Sequence, residues 1–193
     1  MIEKFDILKD YNTWILKLSG GADSPLILYY MKKIRTTQDL WILTGVNHND
    51  ENYVGHSRDV IQFLEVENIT HILYPQTHKS GDEKLIVDFN FYDKISCIFD
   101  ASDTIAVQGR TLNPPFYIDG EEENRNGDIP EIEHINGITV YRPWHDVNKK
   151  QIVKAYREEN LMPLFNMTRS CISLTENECG KCFWCEERKW ALE

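Results

Sequence analysis

Two groups of residues in this chain are spaced for chemistry. The first, Ser19-Gly20-Gly21-Ala22-Asp23-Ser24, follows the apolar run Trp14-Ile15-Leu16-Lys17-Leu18 and precedes Pro25-Leu26-Ile27-Leu28-Tyr29-Tyr30-Met31. Strand, glycine turn and helix start make an anion cradle. The glycines let the backbone turn tightly, and the free N–H groups of the first helical turn point at a phosphate. Asp23 or Ser24 is expected to cap the helix, with Pro25 at its first position. The Walker loop, G-x-x-x-x-G-K-[ST], is excluded because its lysine is missing, and the G-x-G-x-x-G of dinucleotide folds is absent too. The plain alternative is an ordinary Ser/Gly-rich turn between a strand and a helix.

The second group is Cys171, Cys179, Cys182 and Cys185, which crowd one short stretch while Cys97 stands apart. In a reducing compartment such a cluster reads as metal-binding before disulfide. Four soft sulfur donors suit a tetrahedral zinc ion, and Cys179-Gly180-Lys181-Cys182 has the form of a metal knuckle. A closed four-sulfur site is structural. It fixes the tail by metal-coupled folding. An iron–sulfur cluster uses the same ligands, and reduced cysteines packed without metal are the third reading.

These groups need a scaffold. Apolar runs at Thr13–Leu18, Leu40–Thr44, His71–Tyr74 and Thr104–Gln108 alternate with helical stripes, the pattern of an α/β fold with a parallel sheet. Helices are expected over Pro25–Ile34, Ser57–Glu67, Asp82–Phe99 and Val147–Glu159, with a short strand at Ile138–Tyr141. Cys97 falls in the third of these helices, where a lone cysteine is expected to pack as a small buried hydrophobe. The stretch from Ile118 to Gly137, with its polar run Asp119–Asp128, reads as a mobile surface loop, either a lid or a solvated hairpin tip. The 193 residues divide into an expected 1–145 nucleotide-binding domain and a 146–193 helical and four-cysteine segment.

Composition narrows the partners. With 31 acidic against 21 basic residues, the net charge of −10 speaks against nucleic acid and for a small-molecule substrate. No apolar run approaches the ~20 residues of a membrane helix, and Met1-Ile2-Glu3-Lys4-Phe5-Asp6 lacks the form of a signal peptide, so a cytoplasmic location and no membrane partner are expected. The six histidines show no metal spacing; His48, beside Asp50, either lines the site or, the safer reading, is a satisfied loop histidine.

The loop Ser19–Ser24 resembles the PP-loop, S-G-G-x-D-S, of the ATP pyrophosphatases. This implies an adenine-nucleotide α-hydrolase-like, Rossmann-like fold that splits ATP between its α- and β-phosphates. The tail narrows the resemblance. Thr168-Arg169-Ser170-Cys171 followed by Cys179-Gly180-x-Cys182-x-x-Cys185-x-x-Arg188 is similar to the end of the 7-cyano-7-deazaguanine synthases, with zinc on the four cysteines. Pro143 and Asn148-Lys149-Lys150-Gln151-Ile152 resemble that family's proline and K-x-E-I segment, with Gln151 replacing the glutamate. The family's mid-chain V-P-G-R-N and G-Y-P-D-C-R segments do not stand here as such.

What the resemblance implies is an ATP-dependent ligase. A carboxylate of a 7-deazaguanine attacks the α-phosphate, ammonia displaces AMP, and a second activation turns the amide into a nitrile. Ser19, Gly20, Gly21, Asp23, Ser24 and Gly109 would bind ATP. Asp23, Lys149 and Arg169 are the catalytic candidates, Mg²⁺ accompanies the nucleotide, and a homodimer is expected. Rival readings are a PP-loop sulfurtransferase with Cys97 as persulfide carrier, an adenylyl-sulfate type of enzyme, and a non-catalytic nucleotide-binding zinc protein.

Overall fold

The alternating apolar runs build a six-stranded sheet in a computed structural model that describes residues 1–46, 52–75, 95–117, 125–126, 129–171 and 178–193. The strands are β1 (Thr13–Lys17), β2 (Asp39–Val46), β3 (Ile69–Pro75), β4 (Thr104–Val107), β5 (Ile132–Ile135) and β6 (Ile138–Tyr141), in the order β3-β2-β1-β4-β6-β5. All neighbours are parallel except β5 and β6. The fold is therefore α/β with a mostly parallel sheet, as the apolar runs predict.

Central strands of a parallel sheet are covered on both faces, so β4 and β6 are buried at every position. Side chains alternate across the sheet. Trp14, Leu16, Leu18, Leu40, Ile42, Ile105 and Val107 pack on one face with α1 (Asp23–Ile34) and α3 (Lys149–Glu158). Ile15, Leu43, Ala106, Ile138 and Val140 pack on the other with Ile95 and, at the edge, Trp41 and Phe99. A 3-10 helix over Ile2–Asp10, which periodicity did not suggest, buries Phe5 and Leu8 completely in the first core. Helices α4 (Met162–Met167) and α5 (Phe183–Leu192) complete the C-terminal side.

Several expectations are corrected. Helix α1 starts at Asp23 with Ala22 before it and no side-chain cap, so neither Asp23 nor Ser24 caps it and Pro25 is its third residue. Helix α2 runs over Asn52–Phe63, about five residues upstream of the expected span. It stops before Glu65, whose φ of +48° is incompatible with a right-handed helix. Of the expected helix Asp82–Phe99, residues 82–94 lie outside the described residues and residues 95–98 are helical. Cys97 there is exposed and is not the small buried hydrophobe expected, because Ile95 takes the core position of that turn.

The stretch Ile118–Gly137 holds a strand, β5, joined to β6 by Asn136 and Gly137 at φ of +52° and +85°. Both residues in the left-handed region make the primed turn whose twist suits a hairpin. Arg142 braces it, donating to Glu133 at 2.6 Å and to the Pro130 carbonyl at 3.1 Å. Among the described residues no helix is long and apolar enough to cross a membrane.

Candidate functional site

From β1 the chain runs outward through β2 to β3, then returns to build β4, β6 and β5 on the opposite side. The crevice at the carboxyl ends of β1 and β4 is thus the switch point of the sheet, where α/β folds bind ligands. Ser19–Ser24 leaves β1 at this crevice, and Gly109 leaves β4 beside it.

Gly20 stands at φ +78°, a conformation a glycine adopts without strain. The Ser19 amide donates to Ser24 Oγ at 3.1 Å, and the two hydroxyls lie 3.4 Å apart. Ser24 is turned into the loop and closes it. Gly109 is required for a different reason: a Cβ there would lie 2.8 Å from Asp23 Cβ and 3.3 Å from the Ser24 nitrogen. The turn after β4 presses directly on the start of α1.

A second helix opens onto the same point. Asn148 Oδ1 accepts from the Gln151 amide at 3.1 Å, and Gln151 Oε1 accepts from the Asn148 amide at 2.9 Å, a full capping box. Glutamine serves here as well as glutamate, which accounts for Gln151. The box makes Lys149 the first residue of α3. Its ammonium donates to both oxygens of Asp23, the first residue of α1, at 2.6 Å. Lys149 and Asp23 side chains are only 8% and 16% exposed. Two helix N-termini, each with positive partial charge, and one lysine therefore meet at the loop, where the Asp23 carboxylate faces them. The arrangement is built to receive an anion.

The loop carbonyls are held from behind. The Arg169 amide donates to Gly20 O at 3.0 Å, Tyr156 Oη to Ala22 O at 2.7 Å, and Trp144 Nε1 to Asp23 O at 3.3 Å. Arg169 thus reaches the loop through its backbone, and its side chain is buried. Periodicity places Tyr156 on the apolar side of α3 but carries no sign that its hydroxyl, or the Trp144 indole, would serve the loop.

The four cysteines converge. All four Sγ atoms lie within 4.8 Å of one another, with Cys179–Cys185 at 3.9 Å and Cys182–Cys171 at 4.0 Å. A tetrahedral ion with Zn–S bonds of ~2.3 Å needs sulfurs ~3.8 Å apart. The donors are thus spaced for one ion, and tighter than a cubane that spreads its cysteines over four irons. The Lys181 and Cys182 amides, donating to its sulfur, pull the Cys179 thiol down to about 6. Burial pushes the Cys185 thiol up.

A buried arginine, Arg125, and a half-buried one, Arg188, frame this centre. Arg188 donates to Thr168 Oγ1 at 2.9 Å and Phe165 O at 2.8 Å and lies over the Phe165 ring at 4.1 Å. Arg125 pairs with Glu187 and donates to Asn113 Oδ1 at 2.8 Å and Thr111 Oγ1 at 3.2 Å. Arg125 belongs to the polar run expected to be a mobile loop. Its burial ties Arg125 itself to α5, a contact with no local sequence signal. His48 lies outside the described residues.

The mostly parallel sheet with its Ser19–Ser24 loop at the switch point has the α/β architecture that a resemblance to the PP-loop proteins predicts. Residues 122–193 match the family described as Queuosine biosynthesis protein QueC, and over that C-terminal stretch the chain is similar to it. Among solved structures it is similar to the U34-tRNA thiolase NcsA from Methanococcus maripaludis with its [4Fe-4S] cluster. That likeness has a TM-score of 0.57 and 12% identity, over 98% of this chain and 69% of that one. It is also similar to NMN synthetase from Francisella tularensis, with a TM-score of 0.52 and 12% identity over 92% and 74% of the two chains. At such identity the likeness is one of fold. No curated protein matches the chain in sequence.

Proposed function

We propose that the protein adenylates a 7-carboxy-7-deazaguanine with ATP and converts it with ammonia to the nitrile, 7-cyano-7-deazaguanine. The observation that carries this reading is that the S-G-G-A-D-S loop meets both Lys149 and Arg169, the residue two before the first thiol of the cysteine cluster. The match to the QueC family over the tail supports the substrate class.

The carboxylate oxygen attacks the α-phosphate, forming an acyl-adenylate and releasing pyrophosphate. Ammonia attacks the acyl carbon and expels AMP, leaving an amide. A second ATP adenylates the amide oxygen, and loss of AMP with a proton gives the nitrile. The Gly21, Asp23 and Ser24 amides at the start of α1 would hold the departing pyrophosphate, with Ser19 and Gly20 shaping the turn. Lys149 would neutralise charge on the phosphates, Asp23 holding its ammonium in place until the anion arrives. Arg169 and Gly109 would fix the loop from its two sides. Mg²⁺, when bound with ATP, supplies further neutralisation of the phosphates. Zinc on Cys171, Cys179, Cys182 and Cys185 would be structural, because four thiolates leave no open position.

The same loop in a sulfurtransferase would need a persulfide carrier. Cys97 is exposed but lies on the segment leading into the start of β4, at the end of the sheet opposite the loop. This disfavours that reading.

The test mixes the zinc-loaded protein with ATP, Mg²⁺, ammonia and 7-carboxy-7-deazaguanine. The expected products are AMP, pyrophosphate and nitrile, with two ATP consumed per nitrile. AMP formation no higher than in Ser24→Ala would refute the proposal, and AMP formed only with another carboxylic acid would move it to that acceptor.

A further inference from the structure

The metal centre and the loop are joined by a continuous set of short bonds. Cys171, the first thiol donor, is two residues from Arg169, whose amide holds the Gly20 carbonyl. A peptide unit is planar, so holding the Gly20 carbonyl also aims the Gly21 amide in the opposite direction. Gly20 and Gly21 have no side chains to resist rotation of that unit, and whatever holds the carbonyl decides where the amide points.

Segment 168–171 is held in turn from α5. Arg188 lies three residues beyond Cys185, on the same side of the helix. It grips both Thr168 Oγ1 and Phe165 O, and Thr168 Oγ1 also donates to Phe165 O at 2.7 Å. A bound ion joins Cys171 to Cys185 across the same gap that Arg188 and Thr168 span. The thiols are also joined by amide-to-sulfur contacts of 3.2 Å from Cys179 to Cys171 and 3.3 Å from Cys182 to Cys179, and by sulfur–sulfur contacts. An ion bonded to Cys171 would add to these holds and fix the Arg169 amide more firmly against the Gly20 carbonyl.

From this geometry we infer that metal binding at the four cysteines and binding of a pyrophosphate-bearing nucleotide at the loop are thermodynamically coupled, each strengthening the other, with Thr168 and Arg188 as positioning residues between them. The inference rests on the reading that the loop binds ATP. Linkage requires the two effects to be equal: the factor by which metal raises nucleotide affinity is the factor by which nucleotide raises metal affinity.

Calorimetry with a non-hydrolysable ATP analogue and Mg²⁺, on cobalt(II)-loaded and metal-stripped protein, gives the first factor. Cobalt(II) titration followed by thiolate-to-metal absorption, with and without the analogue, gives the second. Both are expected to be roughly tenfold, within the usual range of coupling between sites. Arg188→Met and Thr168→Val, each metal-loaded, are expected to keep four-sulfur cobalt absorption yet bind the analogue about as weakly as stripped protein. If stripping unfolds the chain, those two variants carry the test. Equal analogue affinity in loaded wild type and both variants overturns the inference, as does a reciprocal factor of one. Failure of the analogue to bind any form overturns the reading of the loop itself, and this coupling with it.

Discussion

Replacing Gly109 with alanine puts the contact between the two halves of the crevice to a quantitative test. The added methyl would sit 2.8 Å from Asp23 Cβ, 3.3 Å from the Ser24 nitrogen and 3.4 Å from the Asp23 carbonyl carbon. Carbon atoms rest about 3.5–4.0 Å apart, so the turn or the start of α1 must retreat by roughly 0.7 Å or more. Neither side gives easily. The obstruction is backbone and the root of a side chain, and Asp23 is tied to Lys149 and Trp144.

Gly109 is not among the glycines with positive φ, so torsional strain adds nothing. Overpacking of this kind costs about 1–3 kcal/mol, against about 0.4–1 kcal/mol gained by restricting the unfolded chain. The expected net loss is about 1–2 kcal/mol, or roughly 2–8 °C in Tm at this size. Gly21→Ala is the control, since its methyl meets only Ser19 Oγ at an ordinary 3.7 Å and stability should hold or rise slightly. Urea denaturation of the metal-loaded protein reads stability, and calorimetry reads ATP affinity, which should fall at least tenfold in Gly109→Ala as the amides of α1 shift. A Gly109→Ala protein as stable as wild type, with ATP affinity intact, would refute the reasoning.

Asp23→Asn strands the 8%-exposed Lys149 ammonium at the N-terminus of α3. It should cost about 3 kcal/mol, the low end for breaking a buried pair. Lys149→Met should cost less, because the first-turn amides of α1 support the lone Asp23 carboxylate; denaturation midpoints in the opposite order would count against this. His71, whose Nε2 lies 2.9 Å from Thr44 Oγ1, is held below its ordinary value of 6.5 by burial and by Arg58. The unfolded chain takes the proton first, so its contribution is whole above 6.5 and is lost as pH falls toward the lower folded value. Wild type should therefore lose stability below 6.5 more steeply than His71→Gln, and parallel pH profiles would refute this.

Much of the fold is legible because it is local. The parallel strands announce themselves as apolar runs long enough to be buried on both faces. The hairpin of β5 and β6 was equally legible in Asn136-Gly137, but the polar run before it led the whole stretch to be read as loop. Gln151 looked like a departure from the family pattern until the capping box showed that a glutamine amide does the carboxylate's work at that position. Cys97 misled because a partial helical stripe does not say where the stripe's edge falls.

The sequence by itself determined the loop and the thiol cluster. Glycine torsions, first-turn amides and soft sulfur donors act over a handful of neighbouring residues, so residue type and spacing suffice. Only the tertiary structure decided that Lys149 reaches Asp23 across 126 residues, and that Tyr156 reaches Ala22 across 134. It also decided that Arg125 is buried against Glu187. Such contacts arise from how helices settle on the sheet, where each group must satisfy its charge or hydrogen bond against whatever packing brings near. No spacing along the chain encodes that neighbour.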